Sequence, residues 1–144
     1  QIARRRFDEL YDLRLQLEPE AVQRAARSMD DERIAVLRDV AGVMSRRAGG
    51  DEHYRYSTFA RLDAVFHDRI LEFAGNELIR QTLAHQHTHF HIFRLMFHSR
   101  VTEEALDEHE ALLLALEAGD GKAAKRAMRD HIERSRDRLI PAFE

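Results

Sequence analysis

Asp63, His67, His109 and His131 are four possible metal ligands standing where the surrounding spacing asks for apolar side chains. Asp63 and His67 are four apart, so on a helix their side chains stand above one another, on a face that also carries Phe59, Leu62, Phe66 and Ile70. His109 replaces an apolar residue in the series Leu106, Leu113, Leu116, and His131 does the same between Met128 and Ile132. An unpartnered buried polar group costs roughly 1–3 kcal/mol, and a lone charge costs more. A shared cation would satisfy all four. Three imidazoles and one carboxylate suit Zn²⁺, and also Ni²⁺, Mn²⁺, Co²⁺ or Fe²⁺, because nitrogen and oxygen ligands discriminate weakly among these ions. The competing reading is a set of hydrogen-bonded core histidines, the commoner fate of any single His on an apolar face.

Arg14 falls among Leu10, Leu13 and Leu17, which aims a guanidinium at the same interior. Its planar fork would either hold an anionic ligand or close an internal salt bridge, for instance to Glu18 or Asp63. His85, His87, His89 and His91 alternate, so 85/89 and 87/91 form i, i+4 pairs on different faces. They read as a second metal site or, preferably, as a solvated pair with His87 or His91 facing a cavity beside Arg94. Arg14, His87 and Arg94 are therefore the candidates for contact with a small bound ligand. His53 and His98 are assigned no role.

Helices must position these residues. Leu10, Leu13, Leu17 and Ala21 predict helix from about Asp8 to Ala26, with Pro19 dividing it into two short pieces. Ser28 or Asp30 then caps a helix with Ile34, Leu37, Val40 or Ala41 and Met44 on its apolar side, and Gly49-Gly50 ends it. A longer helix, about Tyr54 to Ala74, carries Asp63 and His67 and stops at Gly75-Asn76. The next, about Glu77 to His98, buries Ile79, Leu83, Phe90, Phe93 or Arg94, and Phe97. Thr102 caps the helix of His109, Gly119-Asp120 closes it, and the last helix runs to about Leu139 before Pro141. The expected fold is all-α, an antiparallel bundle of six to seven helices with short loops.

With 144 residues and 44% hydrophobic content, the chain is one domain in size and should bury about 68–70% of its unfolded surface. No cysteine means no disulfide, thiolate ligand or cysteine nucleophile, which fits a cytoplasmic protein. The net charge of −3 with interspersed signs offers no field for nucleic acid. The run Arg4-Arg5-Arg6 reads as a solvated terminus or linker. No apolar run approaches the ~20 residues that span a bilayer, so no membrane partner is expected. The chain begins at Gln1 and not at Met, so a segment upstream is expected.

Taken together, these motifs resemble the FCD-type effector domain of GntR-family (FadR-subfamily) transcription regulators. Leu10-Tyr11-Asp12-Leu13-Arg14-Leu15-Gln16-Leu17-Glu18-Pro19 is similar to that domain's opening helix and its Arg. Leu62-Asp63-Ala64-Val65-Phe66-His67 and Ala74-Gly75-Asn76 resemble its Asp-x-x-Phe-His helix and Gly-Asn stop. Glu108-His109, Ala118-Gly119-Asp120 and Met128-Arg129-Asp130-His131 resemble its last two helices. The resemblance implies one domain over 1–144 that binds a divalent metal through Asp63, His67, His109 and His131 and a small organic acid beside Arg14. It further implies a homodimer, with DNA reached only through a winged helix outside this sequence and residues 1–7 as the connector.

Three functions follow as expectations. The first is an effector sensor in which ligand binding favours one helix arrangement. The second is a metalloenzyme, which lacks a His-Glu-x-x-His motif, a Glu-x-x-His motif and an obvious general base, so that a non-enzyme is expected. The third is a dimerising bundle in which the ion only stabilises the fold.

Overall fold

The computed structural model describes the backbone of residues 2–46, 52–95 and 100–143, and side chains over 4–46, 58–86 and 103–141 and at 143. Six α-helices fill these residues: α1 (Ile2–Arg27), α2 (Asp31–Arg46), α3 (Glu52–Ala74), α4 (Glu77–Leu95), α5 (Arg100–Glu117) and α6 (Gly121–Leu139), followed by a 3₁₀ turn, Ile140–Phe143. No strand occurs among the described residues, and the fold is all-α as the periodicity predicts. The expected Gly49-Gly50 stop and the side chains of His53, His87, His89, Phe90, His91, Phe93, Arg94, Phe97 and His98 lie outside the described residues.

Two boundaries differ from expectation. Pro19 does not divide the first helical region; α1 runs through it unbroken. Proline removes one helix hydrogen bond and crowds the carbonyl four residues earlier, at a cost of about 3 kcal/mol. The buried stripe offsets this: Phe7, Leu10 and Tyr11 before the proline and Ala21, Val22 and Ala25 after it all belong to the core, and each large apolar side chain contributes roughly 1.5–3 kcal/mol. A break would swing one half of the stripe away from its partners, so packing outweighs local propensity. Thr102 is not the cap of α5 either, since α5 starts at Arg100 and Thr102 lies in its first turn. The expected connector is helical over residues 2–7 and continuous with α1, and its Phe7 is fully buried.

The other punctuation behaves as its chemistry dictates. Asp30 caps α2, its Oδ1 accepting from the Arg33 N–H at 2.8 Å. Gly75 ends α3 at φ +85°, a left-handed position that a side chain would strain, and Asn76 Oδ1 then accepts from the Ile79 N–H at 3.1 Å to start α4. Asp120 does the same for α6, accepting from the Ala123 N–H.

α1 lies against α6 and α3, α5 against α6, and α2 bridges α3 and α5. The main core unites Phe7, Tyr11 and Val22 with Leu37, Phe66, Ile70, Leu112, Leu116, Met128 and Ile132. Arg38 ties α2 to α5 from outside through Glu110 and Glu117. Within this apolar interior α1, α3, α5 and α6 each contribute charged or polar side chains: Arg14, Glu18, Asp63, His67, Glu108, His109 and His131 are all buried.

Candidate metal centre

α3 carries Asp63 and His67 one turn apart on its buried face, α5 brings in His109, and α6 brings in His131. One ligand atom from each of the four lies within 4.8 Å of all the others. His109 Nε2 is 2.9 Å from Asp63 Oδ1, His67 Nε2 is 3.5 Å from the same oxygen, and His67 Nε2 is 3.2 Å from His131 Nε2. Donors about 2.0–2.2 Å from one ion stand roughly 3.0–3.5 Å from their neighbours on its coordination sphere, so these separations fit a shared ion. The ring of His109 is stacked on Phe66, with centroids 4.5 Å apart, which fixes its orientation.

Two carboxylates hold the imidazoles from behind. Glu18 Oε1 is 2.8 Å from His67 Nδ1, and Glu108 Oε1 is 2.6 Å from His131 Nδ1. An ionised carboxylate only accepts, so each Nδ1 must donate, and in the neutral imidazole the Nε2 lone pair then faces inward. Two such lone pairs 3.2 Å apart repel unless a proton or a metal ion lies between them. Arginines anchor both carboxylates: Arg14 Nε donates to Glu18 Oε2 at 2.5 Å, and Arg138 donates to both oxygens of Glu108 at 2.6 and 2.8 Å. The donor set, its tautomers and its anchoring all fit a divalent ion such as Zn²⁺.

The profile of the FCD domain matches residues 9–134, most of the chain. This chain belongs to the FCD domain family. The FCD domain is similar in fold to Streptococcus agalactiae GntR, with a TM-score of 0.80 and 23% identity over 94% of this chain and 60% of that one. It is also similar to E. coli McbR/YncC, with a TM-score of 0.78 and 15% identity over 94% of this chain and 68% of that one. The first of these proteins is thus considerably longer than this chain. Among curated proteins none matches.

Burial is the largest single influence on Glu18, His67, Glu108 and His131 of this FCD domain, but neighbouring charges and hydrogen bonds decide the direction at the first three. Burial works against charge on Glu18, but Arg14 and His67 more than compensate and hold its carboxyl well below the usual carboxylate range. Burial likewise opposes charge on His67; the Asp63 and Glu18 carboxylates outweigh it and raise the pKa. His131 goes the other way. Burial, reinforced by His109 and His67, pulls it down to about 3 despite the Glu108 hydrogen bond, so its imidazole is neutral. Burial would raise Glu108, yet hydrogen bonds from Arg138 and His131 hold it low.

The structure thus brings Asp63, His67, His109 and His131 together and leaves each 4% exposed or less. Arg14 closes the internal ion pair with Glu18 that stood beside ligand binding as the alternative, with its guanidinium 5.4 Å from the Tyr11 ring. His85 is exposed, and His87 and Arg94 lie outside the described side chains. Sequence reasoning named Glu18 only as a partner for Arg14 and Glu108 only as part of a motif, and it missed Arg138. Glu18 was detectable as the second acceptor on the face of Arg14, four residues on; Glu108 and Arg138 meet only through the register of α5 on α6.

Proposed function

We propose that this FCD domain is the sensing part of a transcription regulator, holding a divalent ion, Zn²⁺ in the first instance, through Asp63, His67, His109 and His131, and binding a small organic acid there. The observation that carries the reading is the pair of inward Nε2 atoms of His67 and His131, 3.2 Å apart, each with its Nδ1 held by a carboxylate. Such a pair is prepared for a cation.

Charge explains why an acid is the ligand class. Arg14 balances Glu18 and Arg138 balances Glu108, so with neutral imidazoles Asp63 leaves one negative charge at the centre. A divalent ion reverses that sign and supplies positions for a carboxylate or hydroxyl. Arg14 stands behind His67 on the α1 side, already paired with Glu18, and His87 and Arg94 of α4 are proposed to face the ligand. The carboxylates at the centre are committed: Glu18 to Arg14 and His67, Glu108 to Arg138 and His131, Asp63 to the donor set. None of these three is free to act as a general base, which favours binding over catalysis.

In the intact protein, a single domain of this kind is proposed to act as a homodimer. A ligand that prefers one arrangement of α1, α3, α5 and α6 shifts the population of a DNA-binding segment outside this chain. No described helix is long and apolar enough to cross a membrane. Native mass spectrometry with thermal melting tests the proposal. One Zn²⁺ or Ni²⁺ per chain is expected, with small carboxylic acids raising the melting temperature only of the loaded protein. A chelator-treated chain that refuses both ions, or that answers the acids equally well without them, would overturn it.

A further inference from the structure

Two carboxylate buttresses reach the centre, and they are built differently. The inner one, Arg14–Glu18–His67, is sealed: all three side chains are 2% exposed or less. The outer one, Arg138–Glu108–His131, ends at the surface. Arg138 keeps 14% of its side chain in solvent and, with Glu104, Asp107, Ala111, Arg134 and Asp137, lines an open groove of about 570 Å³ between α5 and α6.

The outer chain has a specific geometry. Both Arg138 terminal nitrogens donate to Glu108, Nη1 to Oε2 at 2.6 Å and Nη2 to Oε1 at 2.8 Å, while Nη1 also reaches Glu104 Oε2 at 3.3 Å. A two-point fork fixes the plane of a carboxylate as well as its place, which a single hydrogen bond does not. Glu108 Oε1 therefore cannot rotate away from His131 Nδ1, 2.6 Å off. With Nδ1 committed as donor, the Nε2 lone pair of His131 is the one that faces Asp63, His67 and His109.

We propose that Arg138 is a positioning residue for the metal centre: from the rim of the α5–α6 groove it locks Glu108, and through Glu108 it selects the His131 tautomer that binds the ion. The inference rests on the metal reading above and assigns it a determinant two residues removed from the ion. Arg138 lines the groove with 14% of its side chain exposed, and Gln and Lys retain much of its length, so the two variants change the fork more than the packing, and melting is measured beside Zn²⁺ affinity to separate the two effects.

The 144-residue chain is compared with R138Q and R138K. Zn²⁺ affinity is measured by competition with a chelating dye, and His131 nitrogen shifts are recorded by ¹⁵N NMR in metal-free protein. R138Q should bind Zn²⁺ about 10–100-fold more weakly, the range typical for lost outer-shell partners, and should show His131 Nδ1 partly deprotonated. R138K keeps the charge but loses the fork, and should fall between. An R138Q chain that melts earlier yet binds Zn²⁺ as tightly, with unchanged His131 shifts, has lost only a tie between α5 and α6 and would overturn the proposal. Failure of the parent chain itself to bind Zn²⁺ overturns the metal reading and this one with it; loss of binding in R138Q alone separates the two.

Discussion

Replacing Glu18 with Gln offers the sharpest test of the inner buttress. Glu18 is 1% exposed, 2.5 Å from Arg14 Nε and 2.8 Å from His67 Nδ1. The amide keeps the shape and removes the charge, so Arg14, itself 2% exposed, loses its nearest carboxylate. Removing one partner of a buried ion pair costs roughly 3–5 kcal/mol, a large share of the 5–15 kcal/mol that typically holds a domain together. At about 2.1 cal/mol/K per residue of unfolding entropy, a chain of this size loses about 3 °C per kcal/mol, which predicts a melting temperature about 10–15 °C lower. Urea denaturation and calorimetry of metal-free protein measure both quantities. The double variant R14M/E18L should recover most of the loss, because well-packed apolar side chains replace buried ion pairs at little cost. It should nevertheless bind Zn²⁺ about 10–100-fold more weakly, since His67 Nδ1 has lost its acceptor. An E18Q protein within 1 kcal/mol of the parent would refute the buried, charged pair on which this reasoning stands.

Three further outcomes are expected. Because Asp63 and Glu18 outweigh burial and raise the His67 pKa, an incoming ion must displace a proton, so the Zn²⁺-induced rise in melting temperature should be larger at pH 8 than at pH 6; equal rises would contradict this. His131 has the opposite sign in metal-free protein: burial lowers it to about 3, so its contribution to stability is complete above its unfolded value of about 6.5 and fades as pH falls from there toward 3. The gap in urea midpoint between parent and H131Q should accordingly shrink from pH 7 to pH 4. Gly75→Ala should cost about 1–2 kcal/mol, all of it backbone strain at φ +85°, since a Cβ there meets nothing within 4 Å; an unchanged urea midpoint would count against the left-handed turn.

Much of the fold was legible because helices write themselves as spacing. Leu37 and Met44, Phe59 and Phe66, and Leu113 and Leu116 fall three or seven apart and are all buried. The four polar residues at the centre were visible for the same reason, as interruptions of that rhythm. Pro19 misled because its penalty is local, whereas the burial that offsets it comes from helices far along the chain. The buttresses were partly hidden for a related reason. Arg14 and Glu18 share one face and could be paired from spacing, but Glu108 and Arg138 stand 30 positions apart and meet only once α5 and α6 are in register. Which nitrogen of His131 faces the centre depends on that meeting, and no spacing rule encodes it.

His67 and His131 approach each other across 64 positions of chain. A complete set of four donors therefore exists only after the third, fifth and sixth rods have docked, and an unfinished bundle offers two ligands at most from one segment. Uptake of a coloured ion such as Co²⁺ would then serve as a clock for the final stage of assembly, silent while single helices form and bright only when distant parts of the polypeptide have found one another.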